Sequence, residues 1–429
     1  MKSNTLAIAT RSQHGTRERW IDRLAKRIFL SKFSEITDGQ LIVREADREY
    51  VFGEKTDSVK LSATIYIHQP HFYSDVIFGG TVGAGEAYMA GNWHCDELTT
   101  LVRILLRNMC VVEGVDSGFG KLMAPLHTLF HKLHRNTLTG SRRNIEAHYD
   151  LGNDMFEQFL DPTMMYSSGI FENEQMTMQQ ASEAKLERIC RKLKLSADDH
   201  VLEIGSGWGG FAIYAASHYG CRVTTTTISQ QQYEYAKQRI AAAGLNDRIN
   251  LLCKDYRSLT GQFDKLVSIE MVEAVGHAFY KTYFQHCSDL LKPEGMMLLQ
   301  SITIADQRYE AAKHEVDFIQ RYIFPGGCLP SVSIIADTVT RSTDMRIYHL
   351  EDIGLHYATT LRKWRQQFFK NINKIEKLGY SDTFTRMWDF YLCYCEGGFM
   401  EHAIGTVQVL LTKPECRREP VLCPAASMS

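Results

Sequence analysis

Proline is scarce, 9 in 429 residues, and no stretch reaches about 18 unbroken apolar residues. The first shortage argues against a disordered or collagen-like chain, and the second against a transmembrane helix. Charge of one sign is lacking as well: 48 Lys and Arg against 50 Asp and Glu leave a net charge of −2. Nothing global then attracts nucleic acid, and any pull toward an anionic surface must be local. There is no CxxC pair; the eleven cysteines are scattered, the nearest two being Cys393 and Cys395, and they read as reduced thiols. No His/Cys/carboxylate spacing resembles a zinc or iron site, so no metal is expected. Met1 to Gln13 lacks a continuous apolar run and a small-residue cleavage site, which predicts cytoplasmic residence. What is present, 44% hydrophobic and 23% charged residues over a length too great for one compact core, predicts a folded protein of two domains.

In the first domain Trp20, Ile21, Leu24, Ala25, Ile28 and Phe29 fall at helical spacing between Arg19 and Phe33, with Arg23, Lys26, Arg27 and Lys32 around them. Two readings stand, a basic amphipathic helix on an anionic bilayer and a helix packed on its own domain with a solvated basic face. Strand patterns follow at Gln40 to Glu45, Glu49 to Phe52 and Val59 to His68, with Asp47 in a hairpin turn. Gly79-Gly80-Thr81-Val82-Gly83-Ala84-Gly85 lacks the Gly-Lys-Ser/Thr ending of a phosphate loop and reads as turns that allow close packing. Met109 to Asn144, with His127, His131, Lys132, His134 and Arg135, reads as a basic, partly helical connector, either facing phospholipid headgroups or simply solvated. These features predict an N-terminal α+β domain with its connector over residues 1–140, a second domain over 141–415 and a tail over 416–429.

The second domain alternates strands and helices, the pattern of a doubly wound sheet. Thr177 and Gln180 form a capping box before a helix with the apolar stripe Leu186, Ile189, Cys190 and Leu193. Strands are expected at His200 to Ile204, Cys221 to Ile228, Ile249 to Asp255, Asp264 to Glu270 and Met296 to Ile302. The first runs into Glu203-Ile204-Gly205-Ser206-Gly207-Trp208-Gly209-Gly210, a glycine loop entering a helix. It is E-x-G-x-G-x-G-G, not the G-x-G-x-x-G of dinucleotide folds, and Glu203 sits where it attracts a cationic amino acid group, which favours S-adenosylmethionine over NAD. The second strand ends in Thr225-Thr226-Thr227-Ile228-Ser229 rather than an acidic ribose ligand, a further mark against NAD. Asp255 and Tyr256, after the third strand, are candidates for the adenine end.

Several segments, taken together and in order, resemble the cyclopropane fatty acid and mycolic acid cyclopropane synthases. They are Asn144-Ile-Glu-Ala-His148-Tyr149-Asp150-Leu-Gly152-Asn153-Asp154, Leu160 to Ser168, Glu203 to Gly210, Met271-Val-Glu273-Ala-Val-Gly276, Tyr322 to Ser331 and Tyr357 to Leu361. Gly85-Glu86-Ala87-Tyr88-Met-Ala-Gly91-Asn92-Trp93 resembles the family's non-catalytic domain, so the likeness spans nearly the whole chain. It implies an α/β, Rossmann-like class I methyltransferase fold with a smaller N-terminal α+β domain. It also implies S-adenosylmethionine contacts from Tyr166, Ser167, Gly205, Gly207, Thr227, Gln232 and Tyr256. A bicarbonate ion is implied near the transferred methyl, held by a glutamate that Glu273 matches, a tyrosine that Tyr357 matches and a cysteine position that Cys395 matches. Two positions depart: Ser168 stands where the best-known members have cysteine, and Gln300 where they have histidine.

An alkene is a feeble nucleophile, so its attack on a sulfonium methyl requires a dry, aligned pocket and leaves a carbocation on the acyl chain. Aromatic faces such as Tyr166, Tyr322, Phe324 and Tyr357 suit such a cation, and a base must then remove a proton. The expected activity is cyclopropanation of an unsaturated acyl chain in a membrane phospholipid by a peripheral enzyme on the inner membrane face, with a homodimer implied by the resemblance. The departures at Ser168 and Gln300 leave a methyl- or methylene-branched product open. A soluble small-molecule methyltransferase and a non-catalytic lipid-binding relative are the readings from other classes.

Overall fold

A computed structural model of the chain describes residues 19–56, 60–109 and 152–419. The 140/141 boundary, the connector beyond Met109, the start of the Asn144 motif and most of the tail lie outside these residues.

The first helix, α1 (Trp20–Phe33), buries Ala25, Phe29 and Phe33 against the sheet β1 (Gly39–Glu45), β2 (Arg48–Glu54), β3 (Ser62–Ile67) and β4 (Trp93–Cys95), in the order β2-β1-β3-β4. The β1–β2 hairpin turns at Ala46 and Asp47 as the pattern requires, with Ala46 at φ 49°. The glycine run departs from expectation. It lies inside one helical stretch, α2 (Phe72–Met89), broken by a kink at Gly80 with φ 54° and ψ −140°. A methyl group on Gly83 would sit 2.0 Å from the Asp75 carbonyl oxygen, so glycine here allows the two arms of the kink to touch.

The second domain includes α4 (Met178–Leu193), which the Thr177/Gln180 capping box opens. Its strands are β5 (His200–Ile204), β6 (Arg222–Thr227), β7 (Ile249–Cys253), β8 (Phe263–Ile269), β9 (Leu291–Ile304), β10 (Arg346–Asp352) and β11 (Ile404–Thr412), in the order β10-β11-β9-β8-β5-β6-β7. Five strands from β7 to β9 are parallel, and β11 runs antiparallel to β9. The chain order reverses between β5 and β8, which opens a crevice beyond their carboxyl ends.

The two domains share a core. Helix α3 (Leu98–Arg107) packs on a late helix, α5 (Asp382–Met400), so closely that a methyl on Gly397 would come 2.7 Å from Val102. Polar ties reinforce the joint: Tyr88 donates to Asp389 at 2.7 Å, and Arg103 and Arg107 both pair with Glu401. No helix among the described residues is long and apolar enough to cross a membrane.

Candidate active site

Beyond β5 the loop turns on Gly205, Gly207 and Gly209, with φ of +97°, +48° and +85°, values a side chain resists. Glu203, two residues before it, accepts the Thr225 hydroxyl at 2.5 Å, and burial pushes its carboxyl up to about 8. The threonine run of β6 is thereby explained: Thr225 supports Glu203, Thr226 donates to the Lys254 carbonyl, and Thr227 donates to Gln232. The loop opens into a largely apolar cavity of about 1550 Å³. Its walls include Tyr166, Ser167, Glu203, Gly205, Gly207, Thr227, Gln232, Asp255 and Tyr256, every cofactor position expected from the sequence. Asp255 is already engaged by the Arg257 guanidinium and backbone. From the N-terminal domain, α2 and α3 add Ile77, Phe78, Val82, Val102 and Leu105, so this apolar space lies between the domains.

At its inner end sits Glu270, the first residue after β8, in the left-handed region at φ 50°. Such strain in a non-glycine residue persists only where its surroundings enforce it. Here Oε1 accepts the Ser168 backbone N–H at 3.0 Å and the Gln300 amide at 2.7 Å, while Oε2 accepts the Tyr357 hydroxyl at 2.7 Å. Burial raises this carboxyl above its ordinary range; the three donors and the Lys185 ammonium oppose that rise. Lys185, with no exposed surface, donates to Ser167 at 2.8 Å, and burial lowers its pKa to about 8 against the opposing pull of Glu270, Asp161 and Glu203. Above the carboxylate, Tyr166 and Tyr391 exchange a hydroxyl hydrogen bond at 2.9 Å, and Tyr357 stacks on Phe399.

Two expectations change. Ser168, Gln300 and Tyr357 do converge, but on the chain's own Glu270, so the donors foreseen for bicarbonate are spent and that ion does not fit among them. Glu273 lines the same cavity, its Oε1 accepting the Ile302 N–H, and burial, with Glu270 beside it, pushes its carboxyl up to about 8. Of this pair Glu270 is the one whose ionised form three donors favour. Tyr322 leaves the aromatic set, bonding instead to Glu86 of α2. Cys395 does line the cavity, its thiol pushed up by burial and therefore neutral. Sequence reasoning passed over Glu270, Lys185 and Tyr391. An acidic residue at the carboxyl end of the strand beside the switch point was the available signal for Glu270, whereas nothing marks a lysine in a helix as buried.

The family model described as mycolic acid cyclopropane synthetase matches residues 136–409. The chain belongs to that family. It is 37% identical to the tuberculostearic acid methyltransferase UfaA1 of Mycobacterium tuberculosis, over 82% of this chain and 83% of that protein. Equal identity, 37%, relates it to the cyclopropane-fatty-acyl-phospholipid synthase of Escherichia coli K12, over 82% of this chain and 88% of the relative. Among solved structures, the mycolic acid cyclopropane synthase CmaA1, complexed with SAH and CTAB, superposes with a TM-score of 0.59 at 29% identity, covering 63% of this chain and 98% of the other. The fold is that of the class I S-adenosylmethionine-dependent methyltransferases, and the relatives are lipid methyltransferases and cyclopropane synthases.

Proposed function

We propose that this enzyme adds a one-carbon unit to the double bond of an unsaturated acyl chain in a membrane phospholipid and closes a cyclopropane ring, with Glu270 as the base. The observation that carries this reading is a carboxylate held by three donors at the end of an apolar cavity beside the glycine loop. Glu203, the glycine loop, Thr227 and Gln232 would hold S-adenosylmethionine, which supplies an electrophilic methyl. The apolar walls align the alkene and exclude water, so that the π pair forms the new C–C bond. Aromatic faces at Tyr166, Phe324 and Tyr391 stabilise the resulting acyl-chain cation. Glu270 then takes a proton from the added methyl, and the released C–H pair closes the third side of the ring.

A methylene-branched product is the second reading. A 1,2-hydride shift before proton loss moves the cation to the branched carbon, and the same base then leaves an exocyclic double bond. A base fixed in the cavity wall and the equal identity to UfaA1 favour keeping it in view.

The proposal includes docking on an anionic bilayer. Helix α1 exposes Trp20 (70%) and Leu24 (45%) beside the exposed Arg23 and Arg27, an interfacial aromatic set among cations. The test is incubation with methyl-labelled cofactor and vesicles of monounsaturated phosphatidylglycerol. Label should enter the fatty acyl fraction, and mild hydrogenation of the methyl esters separates a ring from a methylene. Label confined to soluble products, or none transferred, defeats the proposal.

A further inference from the structure

Helix α4 buries two lysines seven residues apart, and only Lys185 is explained by the site so far. Lys192, 5% exposed, begins a buried chain of side chains. Its ammonium donates to Gln408 Oε1 at 2.7 Å, Gln408 Nε2 donates to Gln300 Oε1 at 2.9 Å, and Gln300 Nε2 donates to Glu270 Oε1 at 2.7 Å. The glutamines face each other in register across β11 and β9, and neither has exposed surface.

Such a chain has a direction. An ammonium has only donors, and an amide has a carbonyl at one end and an NH2 at the other. Lys192 therefore turns the carbonyl of Gln408 toward itself. Gln408 is left with its NH2 for the carbonyl of Gln300, and Gln300 with its NH2 for the carboxylate. Flipping either glutamine sets NH2 against ammonium or carbonyl against carboxylate, with no water to relieve the mismatch. The far end is anchored by Glu351, which takes Lys192 at 2.5 Å and also pairs with Arg188.

We propose that Lys192 is a positioning residue for the base, fixing the polarity of a two-glutamine relay so that Gln300 always meets Glu270 as a donor. This rests on Glu270 being the base. Glutamine at position 300, a departure from the histidine that the resemblance implies for the best-known members, makes sense with Gln408 beside it. The charged or titratable groups facing Lys192 are Glu351, Arg188 and His349, with Arg418 on its backbone carbonyl; those facing Glu270 are Lys185, Glu273, Tyr357 and Tyr391.

The experiment compares Lys192→Met, Lys192→Arg, Gln408→Met and Glu270→Gln by initial rates of label transfer to vesicles across about pH 6 to 9. Lys192→Met should lower kcat about tenfold, the worth of one hydrogen bond to a charged group, while leaving KM for the cofactor within about twofold. The acidic limb should move upward, because an ill-turned Gln300 no longer favours the ionised carboxylate. Lys192→Arg should recover most of the rate. In a Gln300→Met background Lys192→Met should add no further loss. Lowered thermal stability with kcat and the acidic limb unchanged, or additive losses in the double variant, overturns the relay. Should Lys192→Met not fold, Gln408→Met cuts the same chain without removing a charge and must give the same shift. Full activity in Glu270→Gln refutes the base assignment itself; loss there, with Lys192→Met and Gln408→Met unaffected, refutes only the relay.

Discussion

Replacing Glu270 with glycine separates its charge from its backbone. The residue sits at φ 50°, where glycine is at ease, so the substitution relieves roughly 1–2 kcal/mol of backbone strain while deleting the carboxylate. Against this, the Ser168 N–H, the Gln300 amide and the Tyr357 hydroxyl lose their acceptor, at about 1–3 kcal/mol for each donor that water cannot reach. The fold should survive with a modest loss of stability, and cofactor binding should persist because Glu203 and the glycine loop are untouched. Turnover should fall about 10²- to 10⁴-fold, the usual contribution of a positioned base. The void left behind is lined by three convergent donors, so a small carboxylate should fill it. Label transfer to unsaturated phospholipid, measured in Glu270→Gly with rising formate or bicarbonate, should recover saturably, while bulky pivalate should not help. Wild-type-like activity without added anion, or a deficit that no small anion relieves in a variant that binds cofactor normally, refutes the reasoning.

Tyr357→Phe removes a donor that favours ionised Glu270, so the acidic limb of the rate profile should rise by about one pH unit; an unchanged or lowered limb counts against the assignment. Glu273 titrates near 8 in the fold against 4.5 ordinarily, so its stabilising contribution is complete below about 4.5 and lost as pH rises toward 8. Glu273→Gln, which does not titrate, should therefore lose less stability than wild type across that window, by at most about 1.4 kcal/mol per pH unit, and parallel melting curves against pH exclude this. Trp20→Ala with Leu24→Ala should weaken sedimentation with anionic vesicles by about tenfold to a hundredfold, since little more than one buried apolar side chain's worth of transfer energy is removed. Turnover on detergent-dispersed lipid should stay unchanged, and undiminished vesicle binding removes α1 from the membrane face.

The sequence carried the local facts. Period-two and helical spacing located β5 at its exact bounds and the capping box of α4, because pleat and helix repeats are written in neighbouring residues. The glycine loop was legible for a similar reason: positive φ and close approach restrict those positions to glycine. The antiparallel strands β10 and β11 carried weaker signals, and the Gly79–Gly85 run was misread as turns because a kinked helix and a loop share composition.

What the one-dimensional chain determined was the set of elements and the chemistry available at each carboxyl end of the sheet. Which carboxylate meets Ser168, Gln300 and Tyr357 was decided only when four distant segments met in space. Glu270 and Glu273 are three residues apart and chemically alike, yet a backbone turn directs one to the donors of Ser168, Gln300 and Tyr357 and the other to the Ile302 peptide N–H. The burial of Lys185 and Lys192 is tertiary in the same sense. A helix face carrying lysine reads as solvated until strands and loops close over it, and only then does the desolvated charge need, and find, its partners.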